Sequence, residues 1–197
     1  SGSMDSMVNH YTANIRLRSN DAYTAGGKAG FRPDRAVKTY TQILKKLYPH
    51  VPVVVGGIEA SLRRLTHYDY WDERLMPSLL VDSGADLLVY GMGEKVIQEV
   101  ASAMRNGFNA KLLRRLRQVA FVADREYVDR LDEEQTIRLH SYERCCDDKQ
   151  AFAENFTRIE TLSNLLEQTQ TLVEAVGESY VVVNPPHTTL TQNELDR

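Results

Sequence analysis

The feature that most constrains the fold of this chain is a series of short apolar runs, typical of buried strands. Three such runs, rich in valine and leucine, lie within VPVVVGG (51–57), ADLLVYG (85–91) and QVAFVAD (118–124). They recur at intervals of roughly 30 residues, which is the length of a βαβ unit. The sequence therefore predicts an α/β fold with a three-layer, Rossmann- or flavodoxin-like, mainly parallel sheet flanked by helices.

Helical patterns lie between and after these runs. One helix is predicted over 34–47, with Asp34 as its N-cap, and another over 93–107. A longer helix near the C-terminus is predicted over 151–177, followed by a last strand at 179–183 that runs into two prolines. The apolar stripe of the long helix comprises Phe152, Phe156, Ile159, Leu162, Leu166 and Val173.

Charge and hydropathy argue against several classes of protein. The 197 residues carry a formal net charge of −3, whereas general nucleic-acid binding favours a strongly basic surface. No apolar run approaches the roughly 20 residues that a membrane span needs, so we expect no membrane partner. Cys145 and Cys146 are adjacent, which suits neither a disulfide nor a metal site. This cysteine usage predicts a cytoplasmic location.

Glycines follow the first two predicted strands. In a parallel sheet, ligands bind outside the carboxyl ends of the strands, where glycine lets the backbone turn sharply and approach a ligand. The two loops could therefore line one crevice, or each could serve only its own turn. Neither loop matches the G-x-G-x-x-G nucleotide fingerprint. The residues assigned to this possible crevice are Gly56, Gly57, Glu59, Gly91, Gly93 and Glu94.

A polar and aromatic cluster, SLRRLTHYDYWDER, follows the first glycine loop at 61–74. Because Tyr, Trp and Arg commonly anchor interfaces, the cluster could be a ligand-facing or domain-docking loop. It could equally be a helical cap that covers the sheet. His67 and Asp69 would share one face of an extended segment, but no third metal ligand is obvious apart from distant His10 or Glu59, so no metal site is predicted. No catalytic residue is predicted either, since the G-x-S-x-G elbow is absent. The assigned residues are Ser61, Arg63, Arg64, His67, Tyr68, Asp69, Tyr70 and Trp71.

The N-terminal stretch SGSMDSMVNHYTA admits two interpretations. Its varied polar residues without regular alternation suggest a loop near a site, and the alternative is a helix capped by Asp5 or Ser6. The opening SGSM could be an expression scar or native sequence. The residues assigned to the possible site are Asp5, Ser6, Asn9 and His10.

Together these stretches resemble one family, the YgiQ-type radical SAM proteins. The resemblance rests on SGSMDSMVNHYTA, NDAYTAGGKAGFRPDRA, VPVVVGGIEASLRRLTHYDYWDERL, SLLVDSGADLLVYGMGEK and VVVNPPHTTLTQNELD. It covers almost the whole chain and is most specific in GGIEASLRR and HYDYW. It implies that SGSM is native and that the chain is a piece of a larger enzyme.

In that family this region precedes a barrel that binds a [4Fe-4S] cluster through C-x-x-x-C-x-x-C, together with S-adenosylmethionine. The chain has no such triad, and two adjacent cysteines cannot replace it. The resemblance therefore places the cluster, S-adenosylmethionine and radical chemistry in another part of the protein. The family's leading region is similar to cobalamin-binding domains, but their upstream Asp-His loop is absent here, so cobalamin is left as a possibility.

The resemblance implies three segments and several possible functions. We expect a cobalamin-binding-like α/β domain over 1–125 that is truncated at its N-terminus, a charged and helical segment over 126–178, and a strand and linker over 179–197. The main hypothesis is an accessory domain, not catalytic alone, that helps to enclose a small substrate and docks on the radical SAM domain of the same chain. The alternatives are a stand-alone corrinoid- or nucleotide-binding module and a purely structural docking domain.

Overall fold

A computed structural model describes residues 4–105, 107, 110–165, 167–188 and 192. In the described ranges, eight strands form one six-stranded sheet and one two-stranded ribbon. The strands are β1 (Val54–Val55), β2 (His67–Asp69), β3 (Arg74–Met76), β4 (Leu87–Val89), β5 (Val119–Ala123), β6 (Thr136–Arg138), β7 (Thr171–Val176) and β8 (Ser179–Val183). The order in the large sheet is β1-β4-β5-β8-β7-β6, and β2 pairs with β3 in the ribbon.

Helices connect most of these strands, and the described residues also include a single 3-10 turn at 25–27. The helices are α1 (Ser6–His10), α2 (Ala36–Leu47), α3 (Gly57–Leu62), α4 (Leu79–Ser83), α5 (Glu94–Arg105), α6 (Ala110–Leu113), α7 (Arg125–Val128), α8 (Tyr142–Asp147) and α9 (Lys149–Ser163).

The six-stranded sheet is covered by helices on both faces. Neighbouring strand residues point to opposite faces, so Leu88 packs with Ala60 of α3 and Leu80 of α4, whereas Leu87 packs with Val96 of α5. Each face holds its own apolar cluster, and these five side chains are 2% exposed or less. The predicted α/β class and the helix-flanked sheet are confirmed.

The strands of the sheet do not all run in one direction. The predicted parallel pairing is present between β1 and β4 and between β6 and β7, and the other three ladders in the described sheet are antiparallel. After α5 and α6 the chain re-enters the sheet beside the carboxyl end of β4, because Val119 at the start of β5 pairs with Val89 at the end of β4. The β7–β8 hairpin turns at Gly177, whose φ of +58° favours glycine. Strands β1, β4 and β8 consequently run in the same direction.

The long helix predicted over 151–177 is wrong in its second half. Helix α9 ends at Ser163, and Val173 lies in strand β7 between two partner strands. Leu166 of the predicted stripe lies outside the described residues. The segment 171–176 is a strand because pairing on both edges supplies its backbone with hydrogen bonds while Leu172, Val173 and Val176 are buried. Strands from all three predicted segments thus share one sheet.

The predicted N-cap of α2 is also wrong. The helix is preceded by Arg35, whose backbone is left-handed (φ +50°) and whose side chain makes no capping bond. The carboxylate of Asp34 instead lies 2.9 Å from His10 Nδ1 and accepts a 2.8 Å hydrogen bond from the Tyr11 hydroxyl. The Asp34 carboxylate is therefore bound to the N-terminal segment and does not cap α2.

Candidate functional site

The two glycine loops lie side by side. Parallel pairing of β1 with β4 places both carboxyl ends at one edge of the sheet, and the loops line a single open crevice of about 840 Å³. This volume is within the range of small-molecule sites. Six of the residues singled out from the sequence line this crevice: Gly56, Gly57, Ser61, Gly91, Gly93 and Glu94.

Close backbone packing shapes the floor of the crevice. A Cβ at Gly56 would lie 3.1 Å from the carbonyl oxygen of Val89, so a larger residue there would push the two strands apart. Ser61 links the two loops, since its hydroxyl donates to Gly57 O (2.7 Å) and accepts from the Gly91 N–H (3.0 Å). The loops therefore form one hydrogen-bonded unit, and the Ser61 hydroxyl is committed to it.

A smaller pocket of about 250 Å³ adjoins the crevice and shares Ser61 and Gly91 with it. Arg64 lies in this pocket, where Nη1 donates to Ser61 O (2.6 Å) and the guanidinium carbon lies 5.1 Å from the centre of the Tyr90 ring. Burial lowers the pKa of Arg64 and raises the pKa of Tyr90. The pocket therefore holds a cation stacked on an aromatic ring.

The segment that follows β8 is bound to the same edge of the sheet. Gln118 N–H donates to Pro185 O (2.8 Å), and Gln118 Oε1 accepts from the His187 N–H (3.3 Å). The Gln118 amide nitrogen also donates to Tyr90 O (2.7 Å) and Met92 O (2.6 Å). Gln118 thus joins the second glycine loop to the segment 184–188.

Sequence reasoning missed both Gln118 and Tyr90. Tyr90 could have been predicted as a site residue, because it is an aromatic residue at a strand end immediately before a glycine. Gln118 could not have been predicted from local sequence, since all of its hydrogen-bond partners are remote in the chain.

The N-terminal residues lie outside the crevice and form a buried ionic network with α3. Asp5 caps α1 by accepting from Met7 N–H (2.9 Å), as the capping interpretation predicts, and it pairs with the guanidinium of Arg63. Glu59 Oε2 accepts from Ser6 N–H (3.1 Å), and Glu59 Oε1 lies 3.9 Å from Arg63 Nη1. Four of these residues, Asp5, Ser6, Glu59 and Arg63, are 8% exposed or less.

Asn9 and His10 belong to a second buried network around Asp21. Asn9 Nδ2 donates to Asp21 (2.8 Å), His10 Nε2 lies 3.3 Å from it, and Arg32 contacts it through Nε (2.8 Å). Hydrogen bonding from Arg32 holds the pKa of Asp21 well below its usual range. Asn9 and His10 are therefore structural parts of the buried network around Asp21.

The remaining aromatic cluster lies on the β2–β3 ribbon and does not line the crevice. Asp69 is 3% exposed, accepts from the N–H groups of Trp71 and Asp72, and pairs with Arg35 (2.9 Å). Burial opposes ionisation of Asp69, but these contacts outweigh it and lower its pKa. These contacts give Asp69 a structural role in holding the ribbon to α2.

Two of the other cluster residues are about half exposed, and one is mostly buried. Tyr68 and Tyr70 are 53% and 50% exposed, and the Tyr70 hydroxyl donates to Ala13 O (2.9 Å). His67 Nδ1 lies 3.1 Å from Leu65 O, and burial lowers the pKa of His67. This surface is separate from the glycine crevice.

The described residues do not fit a [4Fe-4S] cluster, and the described lining of the crevice offers no axial ligand for a corrinoid. Among them no three His, Cys, Asp or Glu side chains are grouped to hold a metal ion. Cys145 and Cys146 lie in α8, and burial raises the pKa of Cys145 to about 11, which disfavours the thiolate that a cluster needs. The described lining of the crevice includes no imidazole or thiol.

Comparisons with known proteins identify relatives along the whole chain. The family described as Radical SAM N-terminal matches residues 1–197. UPF0313 proteins of Porphyromonas gingivalis and Bacteroides thetaiotaomicron are 49% and 47% identical to the chain over 100% and 99% of its length. A UPF0313 protein of Clostridium perfringens is 46% identical over 100% of the chain. No solved structure matches.

The chain covers only part of these relatives. It spans 31%, 33% and 29% of their respective lengths. None of the helices in the described ranges is long and apolar enough to cross a membrane. The match confirms the resemblance to YgiQ-type radical SAM proteins, and the chain belongs to the Radical SAM N-terminal family.

Proposed function

We propose that this chain is the accessory α/β domain of a longer radical SAM enzyme. In this role its glycine crevice packs against the catalytic domain of the same chain and helps to enclose a small substrate. The domain contributes binding surface and is not catalytic by itself.

The observation that carries the proposal is the position of the segment that follows the sheet. Strands β1, β4 and β8 run in the same direction, so residues 184–188 lie at the edge that holds the glycine loops. A domain joined through this segment begins beside the crevice. Ligand sites commonly form where two domains meet at such an edge.

Exposed apolar side chains around the crevice support the same role. Leu62 and Met92 are 65% and 66% exposed, and Ile58 and Ile97 are 46% and 49% exposed. All four line the crevice. Clustered apolar exposure marks interaction surfaces, and the catalytic domain is the partner that the family provides within the same chain.

The two parts of the enzyme would divide the work. A [4Fe-4S] cluster with S-adenosylmethionine, held by the catalytic domain, supplies the radical chemistry. The crevice residues of this chain contact the substrate at the domain interface and exclude water from it.

The test uses a matched pair of exposed leucines in the full-length protein. Leu62 lies at the crevice, and Leu47 (64% exposed) ends α2 at the opposite edge of the sheet. Leu62→Asp is expected to loosen domain docking, so that amide hydrogen exchange around 57–64 and 89–94 becomes faster. Leu47→Asp is expected to leave that exchange unchanged. Equal exchange in both variants and the parent protein would rule out docking at the crevice.

A stand-alone corrinoid- or nucleotide-binding module is the second candidate, supported by the volume of the crevice. Titration of the full-length protein with cobalamin, followed by absorbance, tests it. Tight binding that Gly93→Trp abolishes would favour this module over the accessory role, and absence of binding would remove its corrinoid form.

A further inference from the structure

Two arginines beside Tyr90 form no close ion pair with a described carboxylate. Among the described residues, no carboxylate lies within ion-pair distance of Arg64 or Arg117, and no carboxylate lines the pocket that holds Arg64. Arg117 donates instead to the backbone oxygens of Pro186 (2.8 Å) and Gln168 (3.2 Å). Glu160 of α9 acts on Arg64 from beyond ion-pair distance, and Arg64 is the single charged residue in the described lining of the pocket. The guanidinium therefore has no carboxylate in direct contact, although buried arginines are normally paired with acids.

The polar atoms of the pocket are incompletely satisfied. Arg64 Nε and Gln168 Oε1 are buried without a hydrogen-bond partner in the described structure. Arg64 uses Nη1 on Ser61 O, and its backbone oxygen accepts from the Ser78 hydroxyl (2.7 Å). The Tyr90 ring lies against the guanidinium and confines it from one side. Arg64 is therefore held in place while its Nη2 has no acceptor among the described residues.

The remaining walls of the pocket are largely apolar. Ile159 and Leu162 of α9, Leu172 of β7 and Val183 of β8 face the same 250 Å³ space. A fixed guanidinium matches the two oxygens of a carboxylate, and aliphatic walls match a hydrocarbon chain attached to it. Inorganic anions would gain nothing from these walls.

We propose that this pocket binds a small organic carboxylate, with its oxygens on Arg64 and its aliphatic part against Leu162, Leu172 and Val183. The site is independent of the proposed accessory role, because every group named here belongs to this chain and none depends on a docked domain. It is distinct from the glycine crevice, although the two share Ser61 and Gly91.

The test is calorimetric titration of the full-length protein with sodium propionate at constant ionic strength. We expect one saturable site with a dissociation constant on the order of 1 mM. Arg64→Gln is expected to weaken binding at least about tenfold, since it removes the charge-assisted hydrogen bonds. Arg130→Gln, which changes an exposed arginine on the surface, is expected to bind propionate as the parent protein does.

A second variant keeps Arg64 in place. Ser163 lines the pocket from the exposed end of α9, and Ser163→Phe is expected to block the pocket without removing a buried group. Propionate binding that survives in both Arg64→Gln and Ser163→Phe would overturn the proposal. So would failure of the parent protein to bind propionate, which is also the result expected if an acidic side chain elsewhere in the full-length protein fills the pocket. Binding of inorganic phosphate at Arg64 in preference to propionate would overturn the carboxylate assignment.

Discussion

Glu174 is a buried acid in the six-stranded sheet, one strand in from the β6 edge. It lies in β7, is 1% exposed, and its Oε2 accepts from the Thr66 N–H (2.8 Å). Burial raises the pKa of Glu174 from 4.5 to about 7, so the folded protein binds this proton more tightly than the unfolded chain does. The stabilisation linked to that proton is complete below pH 4.5 and is lost as pH rises to about 7.

Glu174→Gln should remove this pH dependence, because the amide is neutral and can still accept from Thr66 N–H. Relative to the parent protein, the variant should gain on the order of 3 kcal/mol in unfolding free energy between pH 4.5 and pH 8. Urea unfolding at several pH values measures the difference. Glu178→Gln, at the exposed turn of the same hairpin, is the control and should show no such trend. A parallel pH profile for Glu174→Gln and the parent protein would contradict the prediction.

At the scale of elements, the Asp5–Arg63 pair attaches α1 to α3. Removing Arg63 leaves both Asp5 and Glu59 buried without a cation, whereas removing Asp5 leaves Arg63 with Glu59. We therefore expect Arg63→Met to cost about 3–5 kcal/mol of unfolding free energy and Asp5→Asn to cost less. Chemical denaturation of both single variants and the double variant forms a thermodynamic cycle. Additive costs would show that the two side chains do not interact energetically.

At the scale of the whole molecule, Gln118 couples the second glycine loop to the segment after β8. Gln118→Leu removes hydrogen bonds to Tyr90 O, Met92 O and His187 N. We expect faster hydrogen exchange in both 91–93 and 185–188, with β7 as protected as before. Gln150→Leu, on the exposed first turn of α9, is the control. Faster exchange in only one of the two segments would show that Gln118 does not couple them.

Local patterns predicted the elements whose signals lie within their own residues. Helix α5 has an uninterrupted apolar face, and β1, β4, β5 and β8 are short apolar or β-branched runs. Strand β7 was predicted as helix because Val173 continues the apolar stripe at helical spacing. Only pairing with the two neighbouring strands distinguishes the possibilities. The predicted N-cap at Asp34 is wrong because His10 and Tyr11 bind its carboxylate.

The candidate site divides in the same way. Glycine at the ends of β1 and β4 predicted the positions of the crevice loops, since sharp turns at strand ends favour that residue. Arg64 and Gln118 acquire their importance from partners on other elements, such as Tyr90 and Pro185. Local sequence assigned Asp5, Glu59 and Arg63 to three separate possible sites, whereas the fold joins them in one internal ionic network.

The sequence by itself determined the α/β class, the glycine-ended strands and the family, because each is written in contiguous residues. Only the tertiary structure decided the strand directions, the common edge shared by the crevice and the segment 184–188, and the position of Arg64 over Tyr90. Those properties depend on ladder hydrogen bonds and burial between residues far apart in the chain, and a one-dimensional pattern does not record which distant groups meet.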